Sequence, residues 1–306
     1  MTDILKTILP IFTIIFLGWS LRRLDFMQEE FLKPANRLVY FVAIPAMIFR
    51  EIAEAALAEH FRLVLVAAAL SPLVLVFLID QVLVRGMKLK RYQIGTFMQS
   101  SFHGNLGYIG LAVSYYFLGN DGFTRASILA GFIMLLQNFL AVVALSRFGT
   151  APKEASQFYL LKRILVNPVI ISAMAGMAFS LTGLGLPVIV DRSLKILSGM
   201  ALPLALLVIG TSLSFSQMRQ QLSLTLAISC FKLMLLPALG LALFLLLHLS
   251  PVEYLPALIL LASPTATITY VMASEMSGDP DLATAAISVT TLASAVTFTF
   301  WLGLGS

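Results

Sequence analysis

Charge is scarce in this chain. Asp, Glu, Lys and Arg make up 11% of its 306 residues, where a soluble domain carries roughly a quarter, so an ordinary globular enzyme and a nucleic-acid binder are both excluded. Cysteine is scarcer still: the single Cys230 rules out a disulfide framework and a cysteine-based metal site. There is no His-Glu-x-x-His pair and no Ser-His arrangement for a nucleophile, so an intramembrane enzyme has nothing to rest on. No metal and no cofactor is expected. What abounds is apolar surface, with 59% hydrophobic residues and a mean hydropathy of +0.95. The net charge of +5 sits in short connections, where it sets topology rather than attracting nucleic acid.

Ten apolar runs fall at about residues 4–21, 34–50, 61–84, 92–117, 123–145, 161–182, 188–214, 222–247, 252–275 and 281–303. Each exceeds a membrane strand of about ten residues, and backbone groups in lipid must bond internally, so the fold class is all-α integral membrane with ten transmembrane helices. The first run leads straight into Arg22 and Arg23 without a small-residue cleavage pattern. It reads as a retained span, and no soluble domain is expected. The polar stretch 148–160 reads as a cytoplasmic linker between five-helix units at 1–147 and 161–306. Thirteen of the twenty Lys and Arg, among them Arg22, Arg23, Lys88, Arg91, Lys153 and Arg219, fall on one side of the membrane and six on the other. The richer side is cytoplasmic, which puts both termini outside a cell (inner) membrane.

The halves match at one offset of 158 residues: Pro10 with Pro168, Gly18 with Gly176, Pro45 with Pro203, Ser71 with Ser229 and Asp121 with Asp279. Duplication of a unit with an odd number of spans makes the second copy enter from the opposite side, an inverted repeat. Secondary transporters are built this way, with the site at the midplane between discontinuous helices. Two such interruptions fall at matching depth. Span 4 (92–117) carries Gln99-Ser-Ser-Phe-His-Gly-Asn105-Leu-Gly-Tyr-Ile-Gly110, and span 9 (252–275) carries Leu261-Ala-Ser263-Pro264-Thr-Ala-Thr267-Ile-Thr269. Ordinary Gly and Pro kinks are the plainer reading of either one alone; paired, with Asn105 against Ser263, they indicate broken helices that form a binding site.

The stretch Ser263-Pro264-Thr-Ala-Thr-Ile-Thr-Tyr270, the exit Gly278-Asp279-Pro280, the span 4 segment Asn105-Leu-Gly107-Tyr-Ile-Gly110 and Ile44-Pro45-Ala46 together resemble the auxin efflux carrier family. That family includes bacterial relatives of the plant PIN-formed carriers, within the superfamily of bile acid, arsenite and riboflavin-type transporters. The resemblance covers the whole chain. It implies an elevator-type carrier, with spans 1, 2, 6 and 7 as a scaffold, dimeric through those helices, and spans 3–5 and 8–10 as a moving transport domain in which broken helices 4 and 9 cross. Where many relatives carry Asn after the span 9 proline, this chain has Thr265 and Thr267.

Lys232 lies mid-span, where a charge costs a few kcal/mol, and its stem, about 6 Å long, falls short of an interface about 15 Å away. It reads as a functional charge, and the resemblance implies that a basic residue there supports the crossover and can replace a sodium ion. His103 beside the break is a candidate proton carrier, or a hydrogen-bonded core residue. Asp80 is the one carboxylate well inside an apolar run. Gln137 and Asn138 either line the same cavity or bond helix to helix. The substrate set is therefore Asn105, Gly107, Ser263, Pro264, Thr265, Thr267, Gln137 and Asn138, with Lys232, His103 and Asp80 for charge coupling. Two half-helix N-termini of about +0.5 charge each, near Lys232 and no fixed anion, suit a small organic anion such as a carboxylate. The partners are that anion and membrane lipid. The rival is a membrane-embedded ligand sensor that keeps the fold without transport.

Overall fold

Apolar runs in lipid take the backbone conformation that satisfies their peptide groups internally. The computed structural model describes residues 2–54, 62–148 and 167–305, whose regular structure is helical with no strand beyond one isolated bridge. Helix α1 (Thr2–Arg23) ends on Arg22 and Arg23, cations that suit the negative end of a helix dipole. Helix α2 (Glu29–Leu38) passes through a π-helical turn, Val39–Ala43, into α3 (Ile44–Ala53). The turn lies just ahead of Pro45, which has no N–H for an α-helical bond. Helix α4 (Leu63–Leu83) is continuous, and α5 (Arg91–Phe102) stops after 12 residues. A second π-helical turn, Leu106–Gly110, then leads into α6 (Leu111–Phe148), which Gly119 divides with a φ of 69°, a conformation open to glycine at little cost.

Beyond the second gap, Asn167 starts α7 (Pro168–Ser180) by accepting from the Val169 and Ile170 N–H groups, satisfying donors the helix leaves free. Helices α8 (Val188–Gly199) and α9 (Ala201–Thr211) meet at Met200, and α10 (Phe215–Gln220) is short. A third π-helical turn, Cys230–Leu235, joins α11 (Leu222–Ser229) to α12 (Leu236–Leu246). Helices α13 (Pro251–Ala262), α14 (Ile268–Glu275) and α15 (Pro280–Gly305) follow. Glu253 starts α13 by accepting from the Ser250 N–H.

Among the described residues six helical stretches are long and apolar enough to cross a membrane, against ten runs in the sequence. Breaks after α5 and α13 and the turn before Pro45 cut several runs into shorter helices. The start of the sixth run, 161–166, and the linker at 149–160 lie outside the described residues.

Close backbone approach organises the packing. A Cβ on Gly18 would lie 2.1 Å from the Leu207 carbonyl oxygen, and one on Gly210 2.0 Å from that of Ile15, so α1 and α9 touch backbone to backbone. In the same manner α7 meets α3, where a Cβ on Gly176 would lie 3.1 Å from the Phe49 carbonyl oxygen. Gly18 and Gly176 are 158 residues apart, and Leu207 and Phe49 are separated by the same interval. Helices α5 and α13 begin at Arg91 and Pro251, two residues further apart than that interval, and the same spacing from Asn105 falls on Thr265 where the sequence interval falls on Ser263. Helices α1, α2, α3, α7, α8 and α9 pack mainly on one another, as do α4, α5, α6 and α11 to α15.

Candidate functional site

The two interruptions meet. After α5 the chain is extended at His103, and after α13 at Ser263, as a residue preceding proline must be. Where they cross, Asn105 N–H donates to the Pro264 carbonyl at 2.7 Å, Ala266 N–H donates to that of His103 at 2.9 Å, and Gly104 pairs with Thr265 in an antiparallel bridge. Backbone groups freed by breaking two helices thus satisfy each other. The Gln137 side chain accepts from Gly104 N–H at 3.0 Å and donates to its carbonyl at 3.2 Å. No side chain fits at Gly104, since a Cβ there would sit 2.6 Å from Ser263 Oγ and 3.3 Å from Lys232 Nζ.

Lys232 lies under this crossing, fully buried, and its Nζ donates to the Leu261 carbonyl at 2.7 Å. The ammonium therefore meets the C-terminal end of α13, where a cation opposes the helix dipole. Lys232 belongs to the π-helical turn Cys230–Leu235, and Trp301 Nε1 donates to the Leu233 carbonyl in that turn at 2.7 Å. Among the described residues no carboxylate pairs with Lys232. Asp80, on α4, is equally buried, with neither carboxylate oxygen hydrogen-bonded; the structure joins it neither to Lys232 nor to the crossing.

In front of the crossing opens a cavity of about 1020 Å³ between the two packed groups of helices. His103, Asn105, Gly107, Gln137, Asn138 and Thr267 line it. Ser263, Pro264 and Thr265, grouped with them on sequence grounds, are not among the lining residues. Thr265 is fully buried, with Oγ1 donating to the Ser100 carbonyl at 2.9 Å and its N–H donating to Thr290 Oγ1 at 3.0 Å. Its geometry is that of a brace. Sequence reasoning missed the opposite wall: Asn36, Tyr40, Asn167, Thr211 and Ser212, together with Tyr108, whose hydroxyl donates to Asn36 Oδ1 at 2.6 Å. The available signal was a few polar residues at the ends of apolar runs. Arg22 and Lys33 also line the cavity, and among the described residues no Asp or Glu does.

The family described as membrane transport protein matches residues 3–158 and 150–302. A Rhizobium meliloti (strain 1021) protein named "Putative malonate transporter" is 26% identical over 305 residues, covering 98% of this chain and 95% of that protein. An uncharacterized transporter of Methanothermobacter thermautotrophicus is 26% identical over 297 residues, covering 97% of this chain and 96% of its own. Another, from Methanocaldococcus jannaschii, is 24% identical over 310 residues with 97% of each chain covered.

Proposed function

The chain belongs to the membrane transport protein family, that of the auxin efflux carriers its motifs resemble, and on that premise we propose that it is a secondary carrier of small carboxylates such as malonate. One observation carries the substrate class. Among the described residues the one buried side-chain nitrogen without a hydrogen-bond partner is Asn105 Nδ2, and Asn105 lines the cavity. An unpaired buried donor costs about 1–3 kcal/mol, and a carboxylate oxygen would satisfy it. Arg22 on the cavity wall favours the same charge. The malonate name of one relative agrees with the size of anion proposed.

In this reading ten spans form two inverted repeats. The group α1, α2, α3, α7, α8 and α9 is the scaffold, through which two copies pair, and the group containing the crossing moves against it. The paired contacts at Gly18 and Gly176 support the repeat, and the position of the cavity between the groups supports the movement. Uptake of radiolabelled malonate into proteoliposomes tests the function: accumulation above empty liposomes is expected, and none across a panel of carboxylates would refute it. Asn105→Ala should weaken malonate binding about tenfold or more, the usual scale for one charge-assisted hydrogen bond, while leaving folded protein.

Orientation has its own test. With Cys230 replaced by serine, Leu184→Cys should react with an impermeant thiol reagent applied to whole cells, and Lys88→Cys only after permeabilisation. Both positions are exposed, and the reverse pattern would invert the proposed topology.

A further inference from the structure

We propose that His103 acts as an uncharged hydrogen-bond donor to an acceptor oxygen of the carried anion, with its ring proton held on Nε2 by Gln99; this rests on the carboxylate reading and refines it. His103 lines the cavity, 1% exposed, at the end of α5. One helical turn back, Gln99 is fully buried, and its Nε2 lies 3.3 Å from His103 Nδ1 and 3.2 Å from Met272 Sδ on α14.

A thioether sulfur accepts and never donates, and an amide nitrogen carries two hydrogens and no lone pair for accepting. One hydrogen goes to the sulfur and the other to the ring, so Nδ1 is the acceptor and the proton sits on Nε2. Turning the amide over would set its carbonyl oxygen against the sulfur and remove the acceptors from both N–H groups. As placed, Gln99 leaves only Oε1 without a partner. Lys232 Nζ stands 3.3 Å from the Cβ position of the adjacent Gly104. An imidazolium there would put a second full charge beside that ammonium, so the neutral ring is the form that fits.

The consequence is selectivity. A neutral Nε2–H offers the cavity one donor without adding charge, favouring ligands that present an oxygen acceptor and disfavouring those that present a second donor. The role differs from that of a proton carrier, since His103 would keep its proton through the cycle.

Histidine-selective ¹⁵N and ¹³C labelling in proteoliposomes tests this directly. The chain has three histidines, so the signal lost in His103→Gln is assigned by difference. A protonated Nε2 with a bare Nδ1 is expected near neutral pH, with and without malonate, and Gln99→Leu should produce a mixture of tautomers. In malonate titrations His103→Gln, which keeps an N–H at similar reach, should bind within about threefold of the parent, whereas His103→Leu should bind about tenfold or more weakly. A protonated Nδ1, an imidazolium signal, or unweakened binding by a folded His103→Leu protein would overturn the proposal. A parent protein that binds no carboxylate would instead overturn the carboxylate reading, and the spectrum would still decide the tautomer.

Discussion

Replacing Lys232 with methionine is expected to leave a folded membrane protein and to abolish the malonate uptake proposed for it. Methionine keeps the length and apolar packing of the lysine stem and removes only the charge. The change deletes one hydrogen bond from an ammonium to the Leu261 carbonyl, worth about 1.5–3 kcal/mol. It also removes a fully buried cation that no carboxylate pairs with among the described residues, and such a charge costs a few kcal/mol at mid-membrane. The two nearly cancel, so the melting temperature should stay level or rise. Function has no such compensation. At an effective dielectric of about 20, a unit charge some 8 Å from an anion contributes about 2 kcal/mol, and its loss weakens binding by more than tenfold. Melting and malonate uptake measured on one purified preparation decide the matter; parental uptake by Lys232→Met would end the idea of a functional charge.

Gly18→Val is expected to have the largest effect on stability. A Cβ at Gly18 would lie 2.1 Å from the Leu207 carbonyl oxygen, and Gly210 opposes it with the same lack of room, 2.0 Å from that of Ile15. The obstacle in each case is backbone, which no rotamer change relieves, so α1 would have to move bodily away from α9. Small residues let membrane helices approach closely, and such contact replaces the hydrophobic force that lipid does not supply. Overpacking ordinarily costs about 1–3 kcal/mol; here a whole helix pair opens, and a fall of about 10 °C or more in melting temperature is expected. Gly185→Val is the control, since a Cβ there has nothing within 4 Å. Equal melting of the two variants would show that the α1–α9 contact does not hold the protein together.

Local chemistry made part of this molecule legible. The composition forces helices in lipid, because each segment must satisfy its own backbone groups, and that requirement is written residue by residue in the apolar runs. The interruptions at Gly104–Asn105 and Ser263–Thr267 were visible for the same reason, since glycine, proline and clustered hydroxyls disturb a membrane helix wherever they stand. Lys232 stood out because a charge at that depth must have a purpose or a partner.

Other features depend on where two distant segments come to lie. Whether Thr265 or Thr267 faces the cavity follows from the crossing, which turns Thr265 toward Ser100 and Thr290 and leaves Thr267 on the open side. The two-residue difference between the α5–α13 spacing and the 158-residue interval shows only in where those helices begin and end. Asn36, Asn167, Thr211 and Ser212 acquire meaning only when their helices close the wall opposite the break. The sequence by itself determined the class of molecule, the places where its helices break and the buried charge, because these follow from each segment's own contest with lipid. Only the tertiary structure decided which side chains share one cavity and which brace it, because a side chain's direction at a crossing is set by the partner helix rather than by its neighbours in the chain.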